Sequence, residues 1–258
     1  MTYTLITGSS KGIGRALAFE FAKHGHDLIL TARSREILEQ LACDIRTQHG
    51  VAVEIIPLDL SQSKSPFELI NIIAGKKYDI DCLVNNAGIG YLGDYKDMDS
   101  HLIQQMLQLN ITTVSQLTRY FAKRFVDCKR GKILQLSSTA GFQPGPYMSV
   151  YYASKAYVTS FSVSLAYELK GTGVSLSILC PGPTQSHFFK EAHMEGSFLA
   201  RGVLGLSSAE KVAEVAYESL QKNKLFIIPG FINKLLTYCA TIAPLRLSRQ
   251  ITAFLHRK

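Results

Sequence analysis

Short apolar runs alternate along the chain with longer segments of helical periodicity. The runs hold few polar residues, which is typical of strands that are covered on both faces of a sheet. Predicted strands occupy residues 3–7, 27–31, 52–58, 82–85, 132–137, 174–180 and 225–228. Apolar residues recur about every four positions between them, as in Ile13, Leu17 and Phe21. This order predicts a single α/β domain: a doubly wound parallel sheet of about seven strands with helices on both faces.

A glycine-rich turn follows the first predicted strand. The sequence TGSSKGIG, residues 7–14, leads directly into a helical pattern. Glycines at this place permit a tight turn and bring backbone N–H groups at the helix start close to a pyrophosphate. A glycine turn without a ligand is the alternative, but the position at the first strand-to-helix connection favours a bound dinucleotide.

The spacing of Gly8, Gly12 and Gly14 is G-x-x-x-G-x-G, which differs from the commoner G-x-G-x-x-G fingerprint. It resembles the T-G-x-x-x-G-x-G signature of the short-chain dehydrogenase/reductase family. Further motifs appear in that family's order, namely NNAG at 85–88, Asn110, Ser138, the Y-x-x-x-K pattern of 151–155 and Pro-Gly at 181–182. The resemblance extends over residues 2–230 and implies a Rossmann-type catalytic domain.

Tyr151 and Lys155 are four residues apart in a helix-compatible run, 151–169, and therefore share one helix face. A lysine ammonium beside a phenol favours the phenolate, so we expect the pKa of Tyr151 to be drawn down toward the working range. Tyr152 is the competing candidate, but its partner at the same spacing is Ala156. Tyr151 is therefore the predicted acid–base residue.

The resemblance implies roles for the neighbouring residues. Ser138 would hold the carbonyl oxygen of the substrate against the phenol, while the strand alternation turns Ser137 to the other face. Asn110 would help to hold a water that relays protons to Lys155. Lys155 would also bind the nicotinamide ribose. The catalytic set is therefore Asn110, Ser138, Tyr151 and Lys155, and no metal site is expected because the histidines lack ligand spacing.

The end of the second predicted strand bears on the choice of nicotinamide cofactor. An acidic residue there would bind the ribose 2′-OH of NAD, but this chain has Arg33 and Ser34 at that place and Lys11 in the glycine turn. These cations favour NADP(H) over NAD(H). The full set of predicted cofactor residues is Gly8, Ser10, Lys11, Gly12, Ile13, Gly14, Arg33, Ser34, Asp59, Leu60, Asn86, Ala87, Gly88, Tyr151, Lys155, Pro181, Gly182 and Thr184.

A long segment at 184–206 predicts a substrate lid. It carries Phe188, Phe189, Met194, Phe198, Leu199, Val203 and Leu204. The predicted facing rim consists of Tyr91, Tyr95, Phe142, Pro144 and Tyr147. An apolar pocket between them favours a hydrophobic ketone, aldehyde or 3-oxoacyl group, although the same residues would also serve to pack the lid.

Residues 231–258 form a basic, apolar-rich tail beyond the 1–230 domain. From residue 219 to the last residue there are seven Lys or Arg and no Asp or Glu, and these supply most of the net charge of +8. An amphipathic helix on an anionic membrane, a docking face for an acidic carrier, and packing on the domain or on a second subunit all fit this pattern. A general nucleic-acid-binding surface does not fit it, and no nucleic-acid partner is expected.

Composition places the chain among globular proteins, with 47% hydrophobic and 19% charged residues. Five scattered cysteines make no disulfide or zinc pattern. No signal peptide or membrane span is predicted, so we expect a cytoplasmic protein with membrane association of the tail as an open alternative.

The sequence thus predicts an NADPH-dependent oxidoreductase that interconverts a carbonyl and an alcohol by hydride transfer, with Tyr151 as general acid and base. The alternative is a protein of the same fold that senses NADP(H), or acts as a scaffold, without turnover. The resemblance also implies a homodimer or homotetramer.

Overall fold

The computed structural model describes residues 2–185, 188–194 and 206–256. Its main sheet contains seven parallel strands in the order β3-β2-β1-β4-β5-β6-β9. These strands are β1 (Thr2–Thr7), β2 (Asp27–Ala32), β3 (Val53–Pro57), β4 (Asp79–Asn85), β5 (Gly131–Leu136), β6 (Val174–Leu179) and β9 (Phe226–Ile227). Two short strands, β7 (Thr184–Gln185) and β8 (Ser207–Ser208), pair separately. The strand order reverses between β1 and β4, where doubly wound sheets open a ligand crevice.

Ten α-helices accompany the strands in the described part of the chain. They are α1 (Gly12–Lys23), α2 (Arg35–His49), α3 (Ser65–Gly75), α4 (Ser100–Leu107), α5 (Val114–Asp127), α6 (Ser149–Glu168), α7 (Phe188–Glu191), α8 (Ala209–Gln221), α9 (Phe231–Ile242) and α10 (Leu245–His256). None of them is both long and apolar enough to span a bilayer.

The core lies on both faces of the sheet, as the unbroken apolar strands predicted. In β1, Ile6 packs with α1, α2 and α8 on one face, and Leu5 packs with α3 and α5 on the other. Successive side chains of a strand point to opposite faces, so both must be apolar when helices cover both. The predicted doubly wound fold is confirmed.

Strand ends differ from the sequence prediction by a few residues. β4 begins at Asp79, ahead of the predicted residue 82, because Asp79 and Ile80 pair with Thr2 and Tyr3 of β1. β5 ends at Leu136, so Ser138 lies beyond the strand and caps a 3₁₀ turn, Thr139–Phe142, by accepting a hydrogen bond from Ala140 N. The hydroxyl is thereby held at the carboxyl edge of the sheet.

A π-helical segment, Gln108–Thr113, joins α4 to α5. The sequence predicted one periodic helix across this region. The wider turn of the π-helical segment was not visible in the spacing of the apolar residues. Such segments widen the helix locally and are frequent at functional sites. Here it carries Asn110, whose side chain is buried.

Candidate active site

The glycine turn after β1 is fastened to the turn after β4. The Asn86 side-chain amide donates to the carbonyl oxygens of Thr7 and Gly8 at 2.9 and 3.0 Å. The Thr7 hydroxyl accepts from the backbone N–H groups of Asn86 and Ala87, both at 3.0 Å. The two segments predicted to hold the cofactor are therefore held together by the chain's own polar groups.

Close backbone approach explains why glycine is needed in this turn. Gly8 and Gly12 adopt φ values of 64° and 54°, in the left-handed region. A Cβ at Gly14 would collide with the carbonyl oxygen of Gly8, and a Cβ at Gly8 would lie 2.8 Å from the Cα of Ala87. The turn leaves a cradle at the start of α1 that suits a pyrophosphate, so the residues present fit a dinucleotide.

A cavity of about 720 Å³ runs along the carboxyl edge of the sheet. It begins at the glycine turn and reaches α6. All the residues predicted to bind the cofactor line it: Gly8, Ser10, Lys11, Gly12, Ile13, Gly14, Arg33, Ser34, Asp59, Leu60, Asn86, Ala87, Gly88, Tyr151, Lys155, Pro181, Gly182 and Thr184. The structure thus brings the predicted set together in one cavity.

The end of β2 presents Arg33 and Ser34 to this cavity. The Ser34 hydroxyl already caps α2, accepting from Ile37 N at 3.4 Å and donating to Glu36 Oε2 at 3.0 Å. Lys11 pairs at 3.6 Å with Glu191 of α7. Burial raises the pKa of Asp59, but hydrogen bonds from Ser61 and Gln62 and the Arg33 charge outweigh it and hold the pKa below its usual value. Arg33 remains the cation most directly available at this edge.

Ser138, Tyr151 and Lys155 line the part of the cavity beside α6. The Ser138 hydroxyl acts on the Tyr151 phenol to lower its pKa. It also accepts from Ala140 N at 3.1 Å and donates to Pro181 O at 3.4 Å. The Lys155 ammonium lies 5.7 Å from the Tyr151 ring centroid and donates to the carbonyl oxygen of Leu136 at 2.8 Å. All three side chains line the cavity, as predicted.

The expected lowering of the Tyr151 pKa is wrong for this structure. Burial raises the pKa of Tyr151 to about 12, and the hydrogen bond with Ser138 opposes this only in part. Burial also lowers the pKa of Lys155 to about 8. Desolvation dominates because the ammonium points to Leu136 O while the phenol sits in apolar surroundings, so the one-turn spacing alone does not activate the phenol.

Tyr152 and Ser137, the neighbours of the predicted residues, also line the cavity, but their hydroxyl groups have structural partners. The Tyr152 hydroxyl hydrogen-bonds to His256 Nε2 at 3.0 Å. The Ser137 hydroxyl is engaged with Thr159 Oγ1 at 2.7 Å and with Lys155 O at 3.0 Å.

Asn110 lies behind the cavity wall and does not line it. Its Oδ1 accepts from Ile89 N at 3.0 Å, and its Nδ2 donates to Ile89 O at 2.9 Å and to Ser154 Oγ at 3.0 Å. Asn110 therefore joins the loop after β4 to the turn of α6 between Tyr151 and Lys155. The side chain acts as a positioning group, and the water relay stays a prediction.

Comparison with known proteins agrees with this geometry. The family model described as short chain dehydrogenase matches residues 2–195. The chain belongs to this family. It is 36% identical over 185 residues to a very-long-chain 3-oxoacyl-CoA reductase of Anas platyrhynchos, covering 69% of this chain and 58% of that protein. It is 34% identical over 180 residues to a 7beta-hydroxysteroid dehydrogenase of Clostridium sardiniense, covering 70% and 68%.

A solved structure supports the same assignment. The short-chain dehydrogenase from Sphingobium yanoikuyae in complex with NADPH superposes with a TM-score of 0.83 at 31% identity, covering 90% of this chain and 88% of that one. The aligned region nevertheless spans well under two thirds of the Anas platyrhynchos protein.

The far wall of the cavity in this short-chain dehydrogenase comes from the tail. Packing of the tail on the domain was one of the predicted alternatives, but its part in the cavity wall was not predicted. Leu236 of α9 and Leu247 and Ile251 of α10 line the cavity opposite the sheet. A signal for this packing exists in the sequence. Polar residues recur every four positions through an apolar segment: Asn233, Thr237, Ser248, Thr252 and His256. All five are buried.

Part of the predicted lid segment, residues 184–185, 188–194 and 206, lies among the described residues. Phe188, Phe189 and Met194 line the cavity, and the Phe188 ring lies 5.2 Å from that of Tyr151. The remaining predicted lid residues, Phe198, Leu199, Val203 and Leu204, lie outside the described residues.

Of the predicted facing rim, Tyr91 contacts the lid segment, with its ring centroid 5.8 Å from that of His193. Tyr91, Tyr95, Phe142, Pro144 and Tyr147 do not line the cavity itself. Tyr95 is exposed to solvent, and Phe142 packs against Phe226.

Proposed function

We propose that this short-chain dehydrogenase interconverts a hydrophobic carbonyl compound and its alcohol, with NADP(H) as hydride carrier. The arrangement of Tyr151, Ser138 and Lys155 at the floor of a cavity with an intact dinucleotide cradle carries the proposal. The rival function, cofactor sensing without turnover, requires the glycine turn that would bind the dinucleotide. It does not require the arrangement of Tyr151, Ser138 and Lys155.

The bound cofactor would supply or accept the hydride at its nicotinamide ring, which is chemistry the side chains cannot provide. In reduction, the Ser138 hydroxyl would donate to the carbonyl oxygen and hold it beside the phenol. Tyr151 would give its proton to that oxygen as the hydride reaches the carbonyl carbon, which yields the alcohol. In the reverse direction, the Tyr151 phenolate would take the proton from the alcohol.

The protonation states favour reduction. A phenol with a pKa of about 12 keeps its proton at neutral pH, which is the state that a proton donor needs. The Lys155 ammonium, with a pKa of about 8, is mostly charged at neutral pH and can stabilise the phenolate left behind. Oxidation should therefore need a higher pH than reduction.

The substrate class follows from the cavity walls. Met148, Phe188, Phe189, Met194, Leu236 and Ile251 face the space beyond Tyr151, so an apolar body is matched there. The matched relatives bear the names of a very-long-chain 3-oxoacyl-CoA reductase and a 7beta-hydroxysteroid dehydrogenase, both of which imply bulky apolar compounds. A ketone, an aldehyde or a 3-oxoacyl group with a large hydrophobic substituent is the proposed reactant.

The choice of NADP(H) rests on Arg33. Arg33 lines the cavity just after β2 and would pair there with a 2′-phosphate, and no carboxylate occupies that position in the sequence. The NADPH complex of the Sphingobium yanoikuyae relative is consistent with this choice.

The decisive experiment is Tyr151→Phe in the full-length chain, assayed by NADPH oxidation with a panel of bulky ketones and aldehydes. We expect turnover to fall by about 1,000-fold or more, while NADPH binding measured by its fluorescence is retained. Tyr167→Phe, at an exposed tyrosine on the outer side of α6, is the matched control and should be fully active.

Two results would contradict the proposal. Unchanged turnover in Tyr151→Phe would remove the phenol from the chemistry. Tight NADPH binding with no turnover of any carbonyl by the unaltered chain would favour the sensing function.

A further inference from the structure

Helices α9 and α10 bury polar side chains against the domain and expose many of their apolar side chains. Helix α10 is attached by three polar side chains: Thr252 Oγ1 donates to Pro144 O at 2.8 Å, His256 Nδ1 to Pro146 O at 2.7 Å, and Ser248 Oγ to Gln143 Oε1 at 3.5 Å. In α9, Asn233 and Thr237 are the buried side chains. A helix on a soluble surface usually buries its apolar stripe and exposes its polar one. These two helices do the opposite.

The exposed sides of α9 and α10 are strongly apolar. Phe231, Leu235, Tyr238 and Ile242 follow the i, i+4, i+7, i+11 spacing of one helix stripe, and Phe231 and Ile242 are 81% and 85% exposed. Leu245, at the start of α10, is 74% exposed. More than half of the exposed large apolar side chains in the described part of the chain lie on these two helices. A contiguous patch of this kind marks an interaction surface.

The charged side chains of α9 and α10 have one sign. Lys234, Arg246 and Arg249 are exposed on the two helices. Among the described residues, none of these three cations is in an ion pair. Residues 219–258 contain no carboxylate side chain to balance them. The patch is therefore complementary to an anionic surface.

We infer that the outer face of α9 and α10 seats on an anionic lipid bilayer as an interfacial anchor. Aromatic and aliphatic side chains on one side, with cations beside them, are the composition of helices that lie in the headgroup region. A second copy of the same face is disfavoured because a two-fold contact would bring cations against cations with no carboxylate from either tail.

The patch is continuous with the cavity. Leu236, Leu247 and Ile251 line the cavity and are about half exposed, and they lie on the same two helices as the patch. An anchored molecule would therefore hold this side of the cavity toward the bilayer. The lipid binding itself depends only on the surface and not on the proposed reaction.

The test is co-sedimentation of the full chain with vesicles of phosphatidylglycerol and, separately, of phosphatidylcholine. We expect binding to phosphatidylglycerol that weakens with added salt, and little binding to phosphatidylcholine.

Two variants test the two components of the surface. The triple variant Phe231→Ser, Ile242→Ser and Leu245→Ser alters side chains that do not line the cavity, and we expect at least about a 10-fold loss of binding. The triple variant Lys234→Gln, Arg246→Gln and Arg249→Gln should lose about 100-fold on phosphatidylglycerol.

Matched controls remove similar groups elsewhere on the surface. Phe67→Ser with Tyr95→Ser and Tyr167→Ser removes exposed aromatic area. Lys64→Gln with Lys77→Gln and Arg119→Gln removes exposed charge. Both controls should bind as the unaltered chain does.

Several outcomes would overturn the inference: no binding to either vesicle, equal binding to both, or unaltered binding by both tail variants. A dimer in sedimentation velocity that the apolar tail variant dissociates would assign the face to a second copy and would also overturn it. Tyr151→Phe should bind vesicles normally, so a failed anchor and a failed catalytic assignment give different results.

Discussion

The two ends of the cavity are held in different ways. At the cofactor end, Thr7 and Asn86 join the ends of β1 and β4 through four hydrogen bonds to backbone groups. At the far end, α9 and α10 lie against the domain through a few polar side chains, and most of their apolar surface is exposed. The first end is fixed by backbone geometry, whereas the second depends on side chains near the chain terminus.

The largest expected effect is at the cofactor end. Gly14→Ala would place a methyl group against the Gly8 carbonyl and the Asn86 amide, so the turn must deform. We expect NADPH affinity to fall by about 100-fold or more and the free energy of unfolding to fall by about 1–3 kcal/mol.

Gly75→Ala is the control, because a Cβ there meets no atom within 4 Å. Fluorescence titration with NADPH and denaturant unfolding would check both values. A Gly14→Ala protein that binds NADPH normally would show that the turn is not held as tightly as described.

Arg33→Ala should change the choice between cofactors. Loss of charge-assisted hydrogen bonds to a 2′-phosphate should weaken NADPH binding by about 10- to 100-fold and leave NADH binding nearly unchanged. Arg35→Ala, two residues on and paired with Glu39 on the surface of α2, is the control. Equal weakening of both cofactors would place Arg33 outside the 2′-phosphate site.

Lys155→Met should lose turnover but gain stability at pH 7. Burial lowers the Lys155 pKa from 10.5 to about 8, so folding works against the charged form at neutral pH. The unfolded chain binds more protons than the folded one between these values, and this group therefore makes stability rise with pH from about 8 to 10.5. Removal of the buried charge should stabilise the protein at pH 7. The gain should be limited to on the order of 1 kcal/mol, because the carbonyl oxygen of Leu136 also loses its hydrogen-bond donor.

Thermal unfolding of Lys155→Met and of the unaltered chain across this pH range would measure the difference. Lys170→Met, on the surface after α6, should change neither stability nor its pH dependence. A less stable Lys155→Met protein at pH 7 would show that the lysine's hydrogen bond outweighs its desolvation.

The smallest expected effect is at the tail. Burial lowers the pKa of His256 below 6.5, and the Pro146 carbonyl opposes this in part. The folded chain then binds fewer protons than the unfolded chain. The contribution of His256 to the free energy of unfolding is therefore complete above pH 6.5 and is lost as the pH falls through the pKa of the folded state. His256→Gln should remove this dependence, with a difference of about 1 kcal/mol or less between pH 7 and pH 5.

Denaturant unfolding at the two pH values would check it, with His101→Gln on the exposed side of α4 as control. An unchanged pH dependence of stability in His256→Gln would mean that the His256 side chain, which joins α10 to Tyr152, does not cause it.

The difference between the two ends also explains why the sequence predicted the cofactor end of the cavity but not its far wall. Gly8, Gly14 and Asn86 act through their own backbone or neighbouring backbone, and such local requirements leave motifs at fixed spacing. Ser138 and Tyr151 were predicted from motif spacing and from the resemblance to the family, and both line the cavity. The tail wall was missed because its placement depends on contacts over more than a hundred residues, as between Thr252 and Pro144.

The charge state of Tyr151 was mispredicted for a related reason. Sequence spacing places Lys155 one helical turn away, but it does not show that Leu136 O accepts the ammonium proton or how dry the cavity is. Desolvation is a property of the whole surrounding structure, and it reversed the expected direction of the pKa shift.

Leu236, Leu247 and Ile251 of the cavity wall lie on the same two helices as the exposed apolar patch. With that face seated among lipids, the enzyme would sample its reactant at the concentration dissolved in the acyl layer. For a lipophilic compound that concentration exceeds the aqueous one by its partition coefficient. The apparent KM would then depend on the amount of lipid in the assay, and dilution with empty vesicles would slow the reaction at constant total reactant.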